Sequence, residues 1–202
     1  IITKLTIAEG ATVTYGSAKD ANGKAIKLEA GKTYENITVS DQPDETPAYT
    51  GLAQAEDGTW YYYLEGEIAY GISGLAQNEY GWWYVENGKV DFTHNGLVQN
   101  QYGWWYVQNG QINFGYTGLV ANEYGWWYVQ NGQINFNYTG LAQNEYGWWY
   151  VEGGKINFNY NSLAANEYGW WKIDGGKVNF DFTGAVEYNS AYYTVVNGKV
   201  VF

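Results

Sequence analysis

Four tryptophan–tyrosine pairs recur along the chain at intervals of 22 residues: Trp82 with Tyr84, Trp104 with Tyr106, Trp126 with Tyr128 and Trp148 with Tyr150. Trp170 continues the tryptophan column. Flat aromatic faces stack on the apolar faces of sugar rings. Polar groups that could bond sugar hydroxyls recur at the same interval: Asp91, Asn113, Asn135 and Asn157. Weak sites repeated along one molecule give avidity towards a polymer. The competing reading is packing, because tryptophan also fills the gaps between stacked elements. Tyr80, Tyr102, Tyr124, Tyr146 and Tyr168, which precede each tryptophan pair, are read here as packing residues.

Other candidate chemistry is weaker. His94 is the only histidine and holds a place occupied elsewhere by Tyr116, Tyr138, Tyr160 and Phe182, so it is read as a substituted packing residue. Glu79, Glu123, Glu145 and Glu167 recur in loops that offer too few oxygens to hold calcium. There is no cysteine, hence no disulfide and no thiolate site. An active site is normally singular, and every polar feature here is repeated. The expectation is no enzyme, no metal and no cofactor.

The elements that must position the aromatics follow from one repeat, Gly-Trp-Trp-Tyr-Val-Glu-Asn-Gly-Lys-Val-Asp-Phe, residues 81–92. Asn-Gly between β-formers is a hairpin signal, because a type I′ turn needs positive φ at both central positions. With Asn87 and Gly88 at the tip, Glu86 faces Lys89, Val85 faces Val90, Tyr84 faces Asp91 and Trp83 faces Phe92. Side chains alternate between faces. One face therefore carries Trp83, Val85, Val90 and Phe92, a core; the other carries Trp82 and Tyr84. Lys172 replaces the tyrosine of that second face in a later repeat, which implies that this face meets water.

Units begin at Gly74, Gly96, Gly118, Gly140, Ser162 and Gly184, with a looser one from Gly51. Seven units thus fill residues 51–202. A lone hairpin does not bury enough apolar surface to be stable, so neighbours must complete each core, with Leu75, Leu97, Leu119, Leu141 and Leu163 sealing the junctions. The predicted fold is all-β: tandem β-hairpins joined by loops of about ten residues and stacked into a β-solenoid or superhelical rod. Residues 1–50 read as a separate short β segment, with a turn at Asp-Ala-Asn-Gly-Lys and an acidic, proline-bearing linker at its end. This segment is either a cap for the array or the tail of an upstream domain.

The formal charge is −11, and every basic residue is a lysine. Without arginine forks or basic patches, nucleic acid and anionic membranes are excluded as partners. No run reaches the roughly 18 apolar residues of a membrane helix. The chain opens on Ile-Ile-Thr with no signal-peptide pattern, as expected for a processed piece of something longer.

The stretch Thr-Gly-Leu-Ala-Gln-Ala-Glu-Asp-Gly-Thr-Trp-Tyr-Tyr-Tyr-Leu, from residue 50, resembles a cell-wall-binding repeat of the choline-binding and glucan-binding type. The tighter units resemble the variant found in surface proteins of Gram-positive gut bacteria. This resemblance implies a superhelix of β-hairpins that serves as a non-catalytic attachment module, secreted and associated with the cell surface. It also implies ligand cages of aromatic residues between successive hairpins. The strand tryptophan of such a cage maps to Trp60, and then to pairs such as Trp82 and Trp83. The place of the other cage tryptophan holds Leu52, Leu75, Leu97, Leu119, Leu141 and Leu163, which removes one wall.

The expected partner is a cell-wall polymer or an extracellular polysaccharide, with a host surface glycan as a further class. Two alternatives are a structural spacer and a protein-recognising adhesin array. The oligomeric state is left open.

Overall fold

The computed structural model describes residues 1–41, 49–55 and 57–202. The described residues form β-strands joined by turns, with no helix. Two compact units are present, Ile1–Ala48 and Tyr49–Phe202.

In the first unit, β1 (Ile2–Thr6), β2 (Ser17–Lys19) and β3 (Thr33–Ser40) form an antiparallel sheet in the order β1-β3-β2. Ala18, Leu28 and Ile37 are its buried centre. The predicted turn forms because the Asp20 carboxylate accepts the backbone N–H groups of Asn22 and Lys24, each at 2.9 Å. The expected acidic linker falls largely on 42–48, outside the described residues.

The second unit is the repeat array, whose 21 strands form one hydrogen-bonded sheet. Its tandem hairpins keep the period of 22 residues seen in the sequence. The unit beginning at Gly118 shows the pattern, with strands Gly118–Asn122, Gly125–Gln130 and Gln133–Ile134. The middle and third strands join through Asn131 and Gly132, whose φ angles of 51° and 79° are those of a type I′ turn. The register in the unit beginning at Gly74 is as expected, with Glu86 opposite Lys89 and Val85 opposite Val90.

The expected ten-residue loop differs. Gly118–Asn122 is itself a strand, paired with the middle strand from Gly118↔Val129 to Asn122↔Gly125. Each unit is therefore a three-stranded meander. The connection of Glu123 and Tyr124 is tight because the Asn122 side chain accepts the Tyr124 N–H at 2.9 Å.

Neighbouring units are knitted through the turn glycines. Gly132 O accepts the N–H of Tyr106, and Gly132 N–H donates to Tyr116 O, at 2.8 and 2.9 Å. A Cβ at Gly132 would stand 2.6 Å from Asn113 O, and its φ of +79° already disfavours a side chain. The turn must be glycine both for its own shape and for this approach.

The core is a seam running through the array. Val85, Val107, Val129, Val151, Ile173 and Val195 are each at most 1% exposed. One segment of the seam joins Leu119, Ala142, Val151 and Ile156, with Trp126 and Tyr128 from one unit and Trp149 from the next against it. Two sequence expectations are corrected here. The Trp82–Tyr84 face is half-buried rather than open to water, Trp82 meeting Tyr102 of the following unit and Tyr84 stacking on His94 of its own. Lys172 is only 9% exposed and has partners: its ammonium donates to Ile173 O at 2.8 Å and to the Asp174 carboxylate. Conversely, the phenylalanine column expected in the core lies about half exposed, with Phe92 at 49% and Phe136 at 50%.

Candidate functional site: aromatic cages at the unit junctions

The middle strand brings Trp83 onto the same side as Val85, but one step nearer the end of the hairpin, beyond the sealed seam. Its indole is held by the turn before it. Asn78 Oδ1 accepts both the Tyr80 N–H and the Trp83 Nε1–H, each at 3.0 Å. The same asparagine–tryptophan bond recurs at Asn100–Trp105, Asn122–Trp127, Asn144–Trp149 and Asn166–Trp171, at 2.9 to 3.0 Å. One side chain thus shapes a turn and orients a ring.

Phe92, just past the third strand, meets Trp83 edge-on at 5.6 Å. From the preceding unit, Trp60 reaches the exposed Tyr80, again edge-on, at 6.3 Å. Leu52, Trp60, Asn78, Tyr80, Trp83, Val90 and Phe92 enclose a cavity of about 300 Å³. The cavity is apolar, with Leu52 and Val90 behind the rings. An equivalent cavity of about 460 Å³ opens further along, where Trp148, Tyr168, Trp171 and Phe180 take the same four places. Between them the same ring pairs recur: Trp82–Tyr102 with Trp105–Phe114, Trp104–Tyr124 with Trp127–Phe136, and Trp126–Tyr146 with Trp149–Phe158. The last junction is a reduced version of about 130 Å³, lined by Leu163, Trp170, Tyr188, Tyr193 and Phe202.

The sequence candidates divide accordingly. Trp82, Trp104, Trp126, Trp148 and Trp170 each contribute to a junction with the following unit, half-buried, and those junctions are the cages. Tyr84, Tyr128 and Tyr150 lie elsewhere, stacked on His94, Tyr138 and Tyr160 at 3.7 to 3.8 Å, and Tyr106 meets Tyr116 at 4.2 Å with the rings tilted by 38°. Burial raises the pKa of Tyr84 and Tyr150 above the ordinary 10.0, and does the same for Tyr116, Tyr138 and Tyr160.

The polar candidates hold turns together. Asp91 accepts the N–H and hydroxyl of Thr93, which together hold its carboxyl below the ordinary 3.8. Asn113, Asn135 and Asn157 each accept a backbone N–H two residues on. Each also donates its amide to the residue five before it: Gln108, Gln130 or Glu152, at 2.8 Å. None of these four lines the cavities found.

Of the residues that line the first cavity, Trp83 is indicated by the resemblance alone, Tyr80 and Phe92 are read from the sequence as packing and core, and Asn78 is not singled out. The available signal was the asparagine that stands five residues before the second tryptophan in unit after unit. The missing cage wall is also accounted for: leucine lines the back of the cavity, while tyrosine and phenylalanine supply the further rings. Ring faces carry negative electrostatic potential, so such a cage attracts organic cations and stacks on apolar ligand faces.

A family model described as choline-binding repeat matches residues 48–63, 73–91, 93–113, 115–135, 137–157 and 181–201, together more than half of the chain. No curated protein sequence gives a significant match.

Proposed function

The chain belongs to the choline-binding repeat family, and we propose that it is a non-catalytic module that attaches a secreted protein to a cell-wall polymer or related polysaccharide at the cell surface. The observation that supports this reading is the recurrence of the same four-ring cage at successive junctions. A ring that served only stability would be buried, yet the phenylalanine column is half exposed and the Tyr80 column more so, at 65% for Tyr80 itself. Apolar surface held open in a regular series suits a ligand with a regular series of groups. Each further cage then engages at the effective concentration set by the preceding one, so weak single sites give firm attachment. The repetition also favours a non-catalytic role, because no polar group stands apart from its copies as an active centre.

Sedimentation with insoluble cell walls, alongside tryptophan fluorescence titrated with choline and with soluble glycans, tests the reading. The chain is expected to co-sediment and to show a saturable emission change. The double variant Phe114→Ala with Phe136→Ala, which opens two of the cages, is expected to weaken both while still unfolding in a cooperative melting transition. Co-sedimentation unaffected by that variant would place attachment outside the cages, and its absence from the outset would leave the array as a spacer.

A further inference from the structure

Each cage tryptophan is bridged through its backbone to one residue from the third strand of the next unit, and that residue has two chemistries. Trp83 and Trp105 bridge to Gln111 and Gln133, whereas Trp127, Trp149 and Trp171 bridge to Lys155, Lys177 and Lys199. The backbone geometry is shared. In every case the side chain crosses the glycine that precedes the tryptophan pair, close enough that a Cβ there would collide with it: 2.7 Å from Gln111 Nε2 at Gly81 and 2.7 Å from Lys155 Cε at Gly125.

The polar ends behave differently. The glutamine amides are tied down at the rim, Gln111 to Tyr80 O at 3.1 Å and Gln133 to Tyr102 O at 2.8 Å. They carry no charge, and Gln111 is not among the residues that line the cavity at Trp83. The lysine ammonium groups lie over the rings themselves, at 5.1 Å from the Trp127 centroid, 5.3 Å from Trp149 and 5.4 Å from Trp171. Lys199 lines the same cavity as Trp148, Tyr168, Trp171 and Phe180. Among the described residues none of the three lysines has a carboxylate partner; the ion pair there is Lys172–Asp174. Glu152 and Asp174 stand opposite Lys155 and Lys177 across their hairpins without forming an ion pair, and the contact each ammonium makes is with the aromatic face.

We infer that this column, residues 111, 133, 155, 177 and 199, sets ligand specificity cage by cage. The glutamine-covered cages around Trp83 and Trp105 accept a quaternary ammonium group. The lysine-covered cages around Trp127, Trp149 and Trp171 exclude it, because each already holds a cation of its own. A second positive charge about 5 Å from the first loses on the order of hundredfold in affinity at the effective dielectric of a protein surface. It must also displace the lysine from its ring. This rests on the cages being the ligand sites. It adds that the array is polar along its length, with organic-cation sites towards one end and lysine-bearing cages towards the other.

Equilibrium dialysis with radiolabelled choline at about 0.15 M ionic strength, where charges about 5 Å apart still interact, counts bound equivalents per chain, and the substitutions exchange residues that neighbouring units already carry. The triple variant Lys155→Gln, Lys177→Gln, Lys199→Gln is expected to gain three equivalents, and Gln111→Lys with Gln133→Lys to lose two. Melting curves confirm that both fold. An unchanged count in either variant overturns the assignment. A wild-type chain that binds no choline yet sediments with cell walls overturns it while sparing the attachment reading. Loss of both activities overturns that reading as well.

Discussion

Val129 and Trp127 point to the same side of one strand, two residues apart, and meet opposite fates. Val129 is 0% exposed. Trp127 stays half-buried beneath a lysine from the next unit and beside Phe136, which is 50% exposed. The valine lies where three strands and a neighbouring unit converge. The tryptophan lies where the third strand has ended and the chain turns away. One pattern of alternation thus builds a dry seam and, one step along, an open cage. Burial in this array is decided by how far each strand runs, not by which face a residue occupies.

The seam should be the fragile region. Gly132→Ala is the most damaging change expected. It strains a left-handed turn by about 1 to 2 kcal/mol and drives a methyl into Asn113 O. It also weakens two junction hydrogen bonds worth about 1 kcal/mol each. A loss of about 3 kcal/mol in urea unfolding is expected from those contributions. A loss below about 1 kcal/mol would mean that the junction relaxes more freely than its close contacts imply.

The direct comparison is Val129→Ala against Phe136→Ala. Removing two buried methyl groups from the seam should cost about 2 kcal/mol and leave ligand binding intact in the folded fraction. Truncating the half-exposed phenylalanine should cost about 1 kcal/mol and weaken binding. Equal stability losses, or binding that follows the valine, would erase the distinction between seam and cage.

The seam was legible in the residues themselves, whereas the cage was indicated only by the family resemblance, for physical reasons. Asn131-Gly132 announces its own turn chemistry, and a valine repeated at one register position can only be facing a core. Gly118–Asn122 carries no such signal: it is too short for a clear alternation, and pairing with the middle strand makes it a strand. The cage joins Trp104 of one unit to Tyr124, Trp127 and Phe136 of the next, a convergence that no single-repeat reading contains. Lys172 misled in a specific way, because a buried lysine is tolerated once a carboxylate sits beside it. Burial alone would raise the Asp174 pKa, but hydrogen bonds from Lys172 and Asn179 and the lysine charge bring it below 3.8.

Alkali sharpens the same contrast on the seam side. Tyr116, Tyr138 and Tyr160 are raised above 10.0 chiefly by burial. A raised folded pKa means that the protonated form is favoured in the native state. Its contribution to stability is complete below pH 10.0 and lost as pH rises from there through the folded value. The melting temperature should therefore be level up to about pH 9 and fall beyond 10. A chain whose stability is flat through pH 11 would show these phenols to be better solvated than their packing implies.

The smallest effect expected is a gain. Tyr116, Tyr138 and Tyr160 each donate a hydroxyl proton to a leucine carbonyl of the next unit: Leu119, Leu141 and Leu163, at 3.2, 2.8 and 2.8 Å. His94 stacks on Tyr84 at 3.8 Å in the same position, but its Nε2 is buried with no hydrogen-bond partner. The ring packs as its counterparts do and lacks their reach. His94→Tyr should restore the bond to Leu97 O and remove the orphaned nitrogen, a gain of about 1 kcal/mol, or about 3 °C in melting temperature for a chain of this size. Choline and cell-wall binding should not change, because position 94 lies on the stacked-tyrosine side and outside the cages. A variant that is less stable than the parent would show that the imidazole has a role its geometry does not reveal.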